Sequence, residues 1–350
     1  MFLYVKNTCI SKNIQTIFLK TFITIQDTKN CLNSFKKEVR QGTSAEGRTR
    51  PFGEDSQGRG KTIGFVPTMG ALHRGHIALL ERAKRENVIS VASIFVNPLQ
   101  FNDKKDLEKY PRNLEKDSEM LKSAHCDVVF VPSVEEMYPK APPAPKGGET
   151  GDVLRIFPPS GGFRGAEVME GLHRPGHFQG VCVVVKKLFD IVEPTKAYFG
   201  EKDFQQLAVI KHMVKALKLP VEIVSCPTVR EADGLAMSSR NTLLTAEERK
   251  NASLIFQTLQ EVKTKWKGGP MEYGLSTFGR RRTEGWKNLA EKKINENPYL
   301  KLEYFEIVNS ETLEPITDYR PDSYREQAVG LRACIAVKVG AIRLIDNIPL

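Results

Sequence analysis

At 350 residues, with 40% hydrophobic and 27% charged residues, the chain is expected to be soluble and globular with room for two domains, and its mean hydropathy of −0.34 and short apolar runs exclude a membrane span. The formal net charge of +10 raises the question of a nucleic-acid partner, but +6 of it lies in residues 1–64, and neither that stretch nor Arg280-Arg281-Arg282 interleaves aromatics for base stacking, so no nucleic acid is expected. Six scattered cysteines, Cys9, Cys31, Cys126, Cys182, Cys226 and Cys334, without a Cys-x-x-Cys pair, speak against a zinc site or a disulfide framework and fit a reducing compartment such as the cytoplasm.

Residues 1–20 are apolar and basic but contain no arginine and no small-residue cleavage pattern, so an N-terminal extension is expected rather than a targeting segment. Residues 22–25 predict a first strand and residues 31–40 a short helix. Residues 41–60, rich in Gly, Arg, Ser and charge, predict an inserted loop. A β-branched and apolar run over 62–66 predicts a strand that Pro67 stops, and apolar residues at helical spacing from His76 to Lys84 predict a helix. Residues 88–96 are nearly continuously apolar, as in strands of a parallel sheet covered on both faces. Asn97 to Phe101 follows at that strand's C-terminal end, where open α/β sheets bind ligands.

A helix is predicted over 111–124, with Pro111 at its start and Leu114 and Leu121 on its apolar side. A strand over 127–131 precedes a second insertion, 141–165, punctuated by Pro142-Pro143 and Pro158-Pro159. Then come an amphipathic helix over 180–192, a strand over 197–199, a helix over 203–217 and a strand over 221–225. Alternating β and α units predict an α/β fold, a Rossmann-like doubly wound parallel sheet over residues 21–228. Beyond Arg240 the pattern changes: Thr245-Ala-Glu-Glu248 is a capping-box helix start, and residues 302–308 and 334–339 alternate like antiparallel strands. A smaller α+β lid domain over 229–350 is therefore expected.

Three donor-rich turns carry the chemistry. In Pro67-Thr-Met-Gly-Ala-Leu-His-Arg-Gly-His76, glycines permit a tight turn, the following helix start offers unpaired N–H groups to an anion, and His73 and His76 fall near one face of its first turn. In Gly200-Glu-Lys-Asp-Phe-Gln-Gln206, Lys202 puts a point charge beside a glycine at a strand end. In Asp233-Gly-Leu-Ala-Met-Ser-Ser-Arg-Asn241, two hydroxyls and a guanidinium suit a polyphosphate. Together they predict a cradle for a nucleoside triphosphate.

These three blocks, with Ser93-Ile-Phe-Val-Asn-Pro-Leu-Gln-Phe101 and Arg174-Pro-Gly-His-Phe-Gln-Gly180 in the same order, resemble the pantothenate synthetase family, one branch of the His-x-Gly-His nucleotidyltransferase superfamily. The resemblance runs from about residue 23 to 347, apart from the two insertions. It implies ATP-dependent joining of pantoate and β-alanine through a pantoyl adenylate, with AMP and pyrophosphate released, in a homodimer. It assigns ATP contacts to Met69, Gly70, Ala71, Leu72, His73, Arg74, Gly75, His76, Gly200, Glu201, Lys202, Asp203, Val229, Met237, Ser238, Ser239 and Arg240. His76, His73, Lys202, Ser238, Ser239 and Arg240 are the implied catalytic set. Gln100 and Gln206 match the pantoate glutamines, and Gln100 also reaches the β-alanine site. Mg²⁺ is expected with the triphosphate, Asp117 being a weak candidate for an outer contact. Gln179 stands where the family is often basic. The rival readings are another His-x-Gly-His nucleotidylyltransferase and, more remotely, a basic RNA-binding protein.

Overall fold

The structure, a computed structural model, describes residues 19–38, 62–139, 163–267, 281–319 and 330–350. The expected extension up to residue 18, the 41–60 insertion, residues 141–162 of the second insertion and Arg280 lie outside the described residues.

Six strands form one parallel sheet: β1 (Lys20–Phe22), β2 (Ile63–Thr68), β3 (Ile89–Ile94), β4 (Val128–Phe130), β5 (Lys196–Gly200) and β6 (Glu222–Cys226). Their order is β1-β4-β3-β2-β5-β6, with every pair parallel. The chain steps outward from β2 to β3 and β4, then crosses back to lay β5 on the other side of β2. That reversal leaves a crevice beyond the carboxyl ends of β2 and β5, the usual ligand position in open α/β sheets. Apolar strands such as β3 demand cover on both faces. One face packs against α1 (Ile25–Glu38) and a 16-residue helix, His177–Val192, through Phe65, Val91, Phe130 and Phe189. The other packs against α2 (Arg74–Glu86) through Leu80, Ala83 and Val129.

The second unit is a three-stranded antiparallel sheet, residues 300–309, 331–339 and 342–349, in the order 342–349, 331–339, 300–309. Helices Leu254–Lys267 and Glu284–Asn295 cover it, with Trp266 and Trp286 in its core. A bridging cluster of Met169, Phe204, Val308, Leu313 and Cys334 joins the two units. The fold class is the one expected, a Rossmann-like parallel sheet with a smaller α+β unit.

Several expected elements are corrected. The first strand is Lys20–Phe22, not 22–25, because the Thr24 hydroxyl accepts the Asp27 N–H at 3.1 Å and starts α1 six residues earlier than residue 31. The helix expected from Pro111 begins at Leu114, capped by Asn113, whose side chain accepts the Lys116 N–H at 3.0 Å. Leu114 is 42% exposed, so the apolar side carries Leu121 but not Leu114. The helix expected to be amphipathic over 180–192 starts at His177 and buries eleven of its residues, being flanked by the sheet and by other helices. The strand over 342–349 does not emerge from the sequence pattern, since buried Asp346 and Asn347 interrupt its alternation.

Close packing of α2 on the sheet depends on one glycine. A Cβ at Gly64 would clash with Nδ2 of Asn87 and press on the Ala83 carbonyl. Asn87 cannot yield, because Nδ2 donates to the Ala83 carbonyl at 2.8 Å and to the Tyr198 hydroxyl at 2.6 Å. Gly64→Ala is therefore expected to cost about 1–3 kcal/mol of stability, read as a lowered midpoint in urea denaturation with an unchanged slope.

Candidate active site

The crevice at the ends of β2 and β5 is lined by His73, His76, Lys202, Ser238, Ser239 and Arg240, together with Gln100 and Gln206. The three donor-rich turns thus meet in one cleft. β2 leads into a strained turn: Gly70 (φ +82°) and Ala71 (φ +50°) both adopt the left-handed region, which for alanine is costly. Asp117 holds that turn. Its carboxylate, 2% exposed, accepts the Ala71 N–H at 2.9 Å and the Leu72 N–H at 2.7 Å. Both oxygens of this candidate metal contact therefore face backbone donors of the turn.

The turn delivers two imidazoles. Nδ1 of His73 caps α2 by accepting the Gly75 N–H at 3.1 Å, while Nδ1 of His76 accepts the His73 N–H at 3.3 Å. This is a capping box built from two histidines, with ring centroids 4.1 Å apart. An imidazole that accepts at Nδ1 carries its proton at Nε2 when neutral. Burial, reinforced by Lys202, lowers the His73 pKa to about 4. Burial, then the neighbouring His73, lowers that of His76 to about 3. Both rings are neutral near pH 7 and present Nε2–H donors, beside the positive end of the α2 dipole.

The opposite wall comes from the β5 turn and the 237–240 segment. Nothing lies within 4 Å of where a Gly200 Cβ would stand, so the backbone there is open to a ligand. Lys202 Nζ lies 3.3 Å from Asp203, and the Arg240 guanidinium donates to Asp106 at 3.1 Å. Asn347 secures the turn, donating to the carbonyls of Glu201 and Lys202 at 2.8 and 2.9 Å.

At the far end, Gln100 is buried, and its backbone carbonyl accepts Nδ1–H of His177 at 2.8 Å. Nε2 of His177 lies 3.2 Å from Arg174, an obligate donor, which fixes the ring tautomer. Burial, then Arg174, lowers the His177 pKa to about 4. Arg174 is anchored in turn near Glu170, a buried carboxylate that accepts Arg343 at 2.6 and 2.7 Å and the Tyr304 hydroxyl at 2.9 Å. Burial alone would raise the Glu170 pKa, but Arg343 holds it below the usual carboxylate value. Gln205 pins the covering segment, accepting the Glu170 N–H at 2.9 Å and donating to the Val168 carbonyl at 2.7 Å.

Met69, Gly75, Gly200, Asp203, Val229 and Met237 also line the cleft. Gly70, Ala71, Leu72, Arg74 and Glu201 do not. Leu72 is buried in the core, the exposed Arg74 pairs with Glu81, and Glu201 pairs with Arg332 at 3.2 Å. Gly70 and Ala71 shape the turn through their backbone. Sequence reasoning misses Tyr110, Glu170, Arg174, His177, Gln205 and Asn347 as parts of the site. The Arg174–Gly180 block is the signal available for two of them.

A family model described as pantoate-beta-alanine ligase matches residues 40–349. Curated relatives include pantothenate synthetases of Porphyromonas gingivalis, 50% identical over 85% of this chain and 94% of that protein, and of Bacteroides fragilis, 47% identical over 83% and 92%. Among solved structures, the pantothenate synthetase of Thermus thermophilus matches with a TM-score of 0.69 at 38% identity, covering 94% of this chain and 99% of that one. A Francisella tularensis pantoate-beta-alanine ligase complexed with beta-gamma ATP and beta-alanine matches with a TM-score of 0.63 at 31% identity, covering 95% and 98%.

The neutral histidines make a prediction about acid stability. In the unfolded chain both rings take up protons near pH 6.5, whereas in the folded protein they do so near pH 4 and 3. The unfolded state binds more protons through that window, so stability falls as pH drops through it. His73→Asn/His76→Asn is expected to lose less stability between pH 7 and pH 4.5 than the native chain, measured by urea midpoints at both values; an equal or larger loss would contradict the assignment.

Proposed function

Because the chain belongs to the pantoate-β-alanine ligase family, we propose that it condenses pantoate with β-alanine to pantothenate, using ATP and passing through a pantoyl adenylate with release of pyrophosphate and AMP. The observation that carries this reading is the pair of Nε2–H donors across one cleft from Lys202, Ser238, Ser239 and Arg240. A carboxylate does not acylate an amine in water, because its carbonyl is electron-rich and oxide is a poor leaving group. Adenylation supplies the leaving group: the pantoate carboxylate attacks the α-phosphorus in line and pyrophosphate departs, after which the β-alanine amine attacks the acyl carbon and AMP departs.

Such chemistry calls for positioning and charge neutralisation more than for a protein nucleophile. His73 and His76 hydrogen-bond phosphate oxygens as charge builds, and as neutral donors they do so without neutralising the attacking carboxylate. Lys202, Ser238, Ser239 and Arg240 stabilise the departing pyrophosphate. Gln100 and Gln206 hold pantoate, and neutral amides leave its carboxylate nucleophilic. Gly75, Gly200, Asp203, Val229 and Met237 shape the ATP pocket.

Among the described residues no group of three or more His, Cys, Asp or Glu forms a cation site. The donor-rich cleft suits Mg²⁺ arriving with the triphosphate as substrate, held by phosphate oxygens and water. Residues from 229 onward are read as a lid closing on the 21–228 nucleotide- and pantoate-binding domain. We further read the protein as a cytoplasmic homodimer with small-molecule partners only; the free, buried thiols of Cys126, Cys182, Cys226 and Cys334 suit a reducing compartment, and the dimer and the partners rest on the family alone.

Incubation with MgATP and pantoate, with and without β-alanine, is expected to give pyrophosphate with pantoate, and AMP with pantothenate in equal amounts once β-alanine is added. A product that retains the nucleotide would instead mean a nucleotidylyltransferase. Tight, steeply salt-dependent RNA binding without turnover would mean a nucleic-acid protein. His76→Ala is expected to stay folded and lose about 10²–10³ in pantoate-dependent pyrophosphate release; turnover near the native rate would remove the histidine from the mechanism.

A further inference from the structure

Gln100 is not free to turn its amide. It is held by Asn97, which is 1% exposed and lies in the turn just after β3. Oδ1 of Asn97 accepts the Leu99 N–H at 3.3 Å and the Tyr138 hydroxyl at 2.9 Å. Its Nδ2 donates to the Gly180 carbonyl at 3.1 Å and to Oε1 of Gln100 at 3.1 Å. Two of these partners are backbone groups, one a donor and one an acceptor, so the Asn97 amide has a single satisfying orientation. It follows that Oε1 of Gln100 faces Asn97 and that Nε2 faces the cleft.

There Nε2 of Gln100 stands 3.0 Å from Sδ of Met69, a weak acceptor that a substrate oxygen readily replaces. The arrangement depends on Gly180, where a Cβ would collide with the Leu99 carbonyl. Tyr138 itself is 8% exposed and does not line the cleft. Its ring packs 6.1 Å from that of Phe95, centroid to centroid, and Lys187 Nζ lies 5.6 Å from the ring centre.

We propose that Tyr138 is a positioning residue for recognition of the acid substrate: acting through Asn97, its hydroxyl locks Gln100 with N–H donors toward the cleft and its acceptor turned away. Gln100 then serves an oxygen of the hydroxy acid as a donor only, and it opposes any substrate that offers an N–H at that point. The proposal rests on the assignment of Gln100 to pantoate made above. Without the phenol, Asn97 keeps the long Leu99 bond on Oδ1 and the Gly180 bond on Nδ2, so its amide keeps its orientation but is held less tightly, and Gln100 with it.

Steady-state kinetics of Tyr138→Phe, Gln100→Ala and the double variant test the lock. Tyr138→Phe is expected to raise the KM for pantoate about three- to tenfold, the scale of one net hydrogen bond, with the KM for ATP and the melting temperature close to native. In the Gln100→Ala background the same change should leave the pantoate KM where it is. An unshifted pantoate KM, an equal rise for ATP, or the full effect persisting without Gln100 would each overturn the proposal. Should Tyr138→Phe fail to fold, Gln100→Glu decides: it keeps the acceptor for Asn97 but has no N–H, so it must weaken pantoate, and native pantoate affinity would overturn the lock. A native protein releasing no pantoate-dependent pyrophosphate would fell the function reading and this proposal with it, whereas normal native turnover with an unshifted Tyr138→Phe would fell the lock alone.

Discussion

The site depends on one buried carboxylate. Asp117, from the helix that packs beside β3 and β4, is the acceptor for two consecutive backbone amides of the Gly70–Leu72 turn. The turn contains two residues in the left-handed region, one of them an alanine, and such a conformation persists only where its surroundings over-determine it. With the turn fixed, His73 falls at the helix cap, its Nδ1 accepts the Gly75 N–H while Nδ1 of His76 accepts the His73 N–H, and the two tilted rings lie side by side with their protons on the far nitrogens. Backbone strain at one end thus becomes tautomer control at the other.

The second constraint ties the two units together across the cleft. Asn347 bonds two carbonyls of the β5 turn, Arg332 reaches Glu201 and lies over the Phe204 ring with its guanidinium 4.3 Å from the centroid, and Arg343 meets Glu170. Charges this buried are weak contributors to net stability when paired and costly when one partner is lost. Their effect is geometric: each fixes a segment that itself carries a cleft-lining group. Glu170 holds Arg174, which with His177 holds the Gln100 backbone.

Local chemistry makes much of this legible in the sequence. The 62–66 run and the two glycines mark a strand, a turn and a helix start, although Pro67 does not stop the strand, which runs on to Thr68 with Pro67 opposite Ser93; the Thr245…Glu248 spacing marks a cap that forms as written, with Thr245 N–H on Glu248 at 2.8 Å. What escapes depends on partners distant along the chain. Asn347 meets Glu201 across 146 residues and His177 meets Gln100 across 77, distances at which no periodicity speaks. Asp117 reads as a solvated acid on a helix because nothing near it in sequence shows that the 71–72 amides point at it. The shift of β1 and the exposure of Leu114 are boundary effects, decided by the caps Thr24 and Asn113 competing with apolar pattern.

Asn347 has a consequence for the order in which the molecule becomes competent. A chain emerging from the ribosome exposes both imidazoles and Lys202 more than a hundred residues before the strand that carries Asn347. Until residues 342–349 pair with 331–339, the β5 turn lacks the two amide bonds that clamp it. The cleft is therefore completed only once residues 342–349 have been made, and a nascent chain that has not yet reached them holds the reactive groups without the brace that sets their spacing.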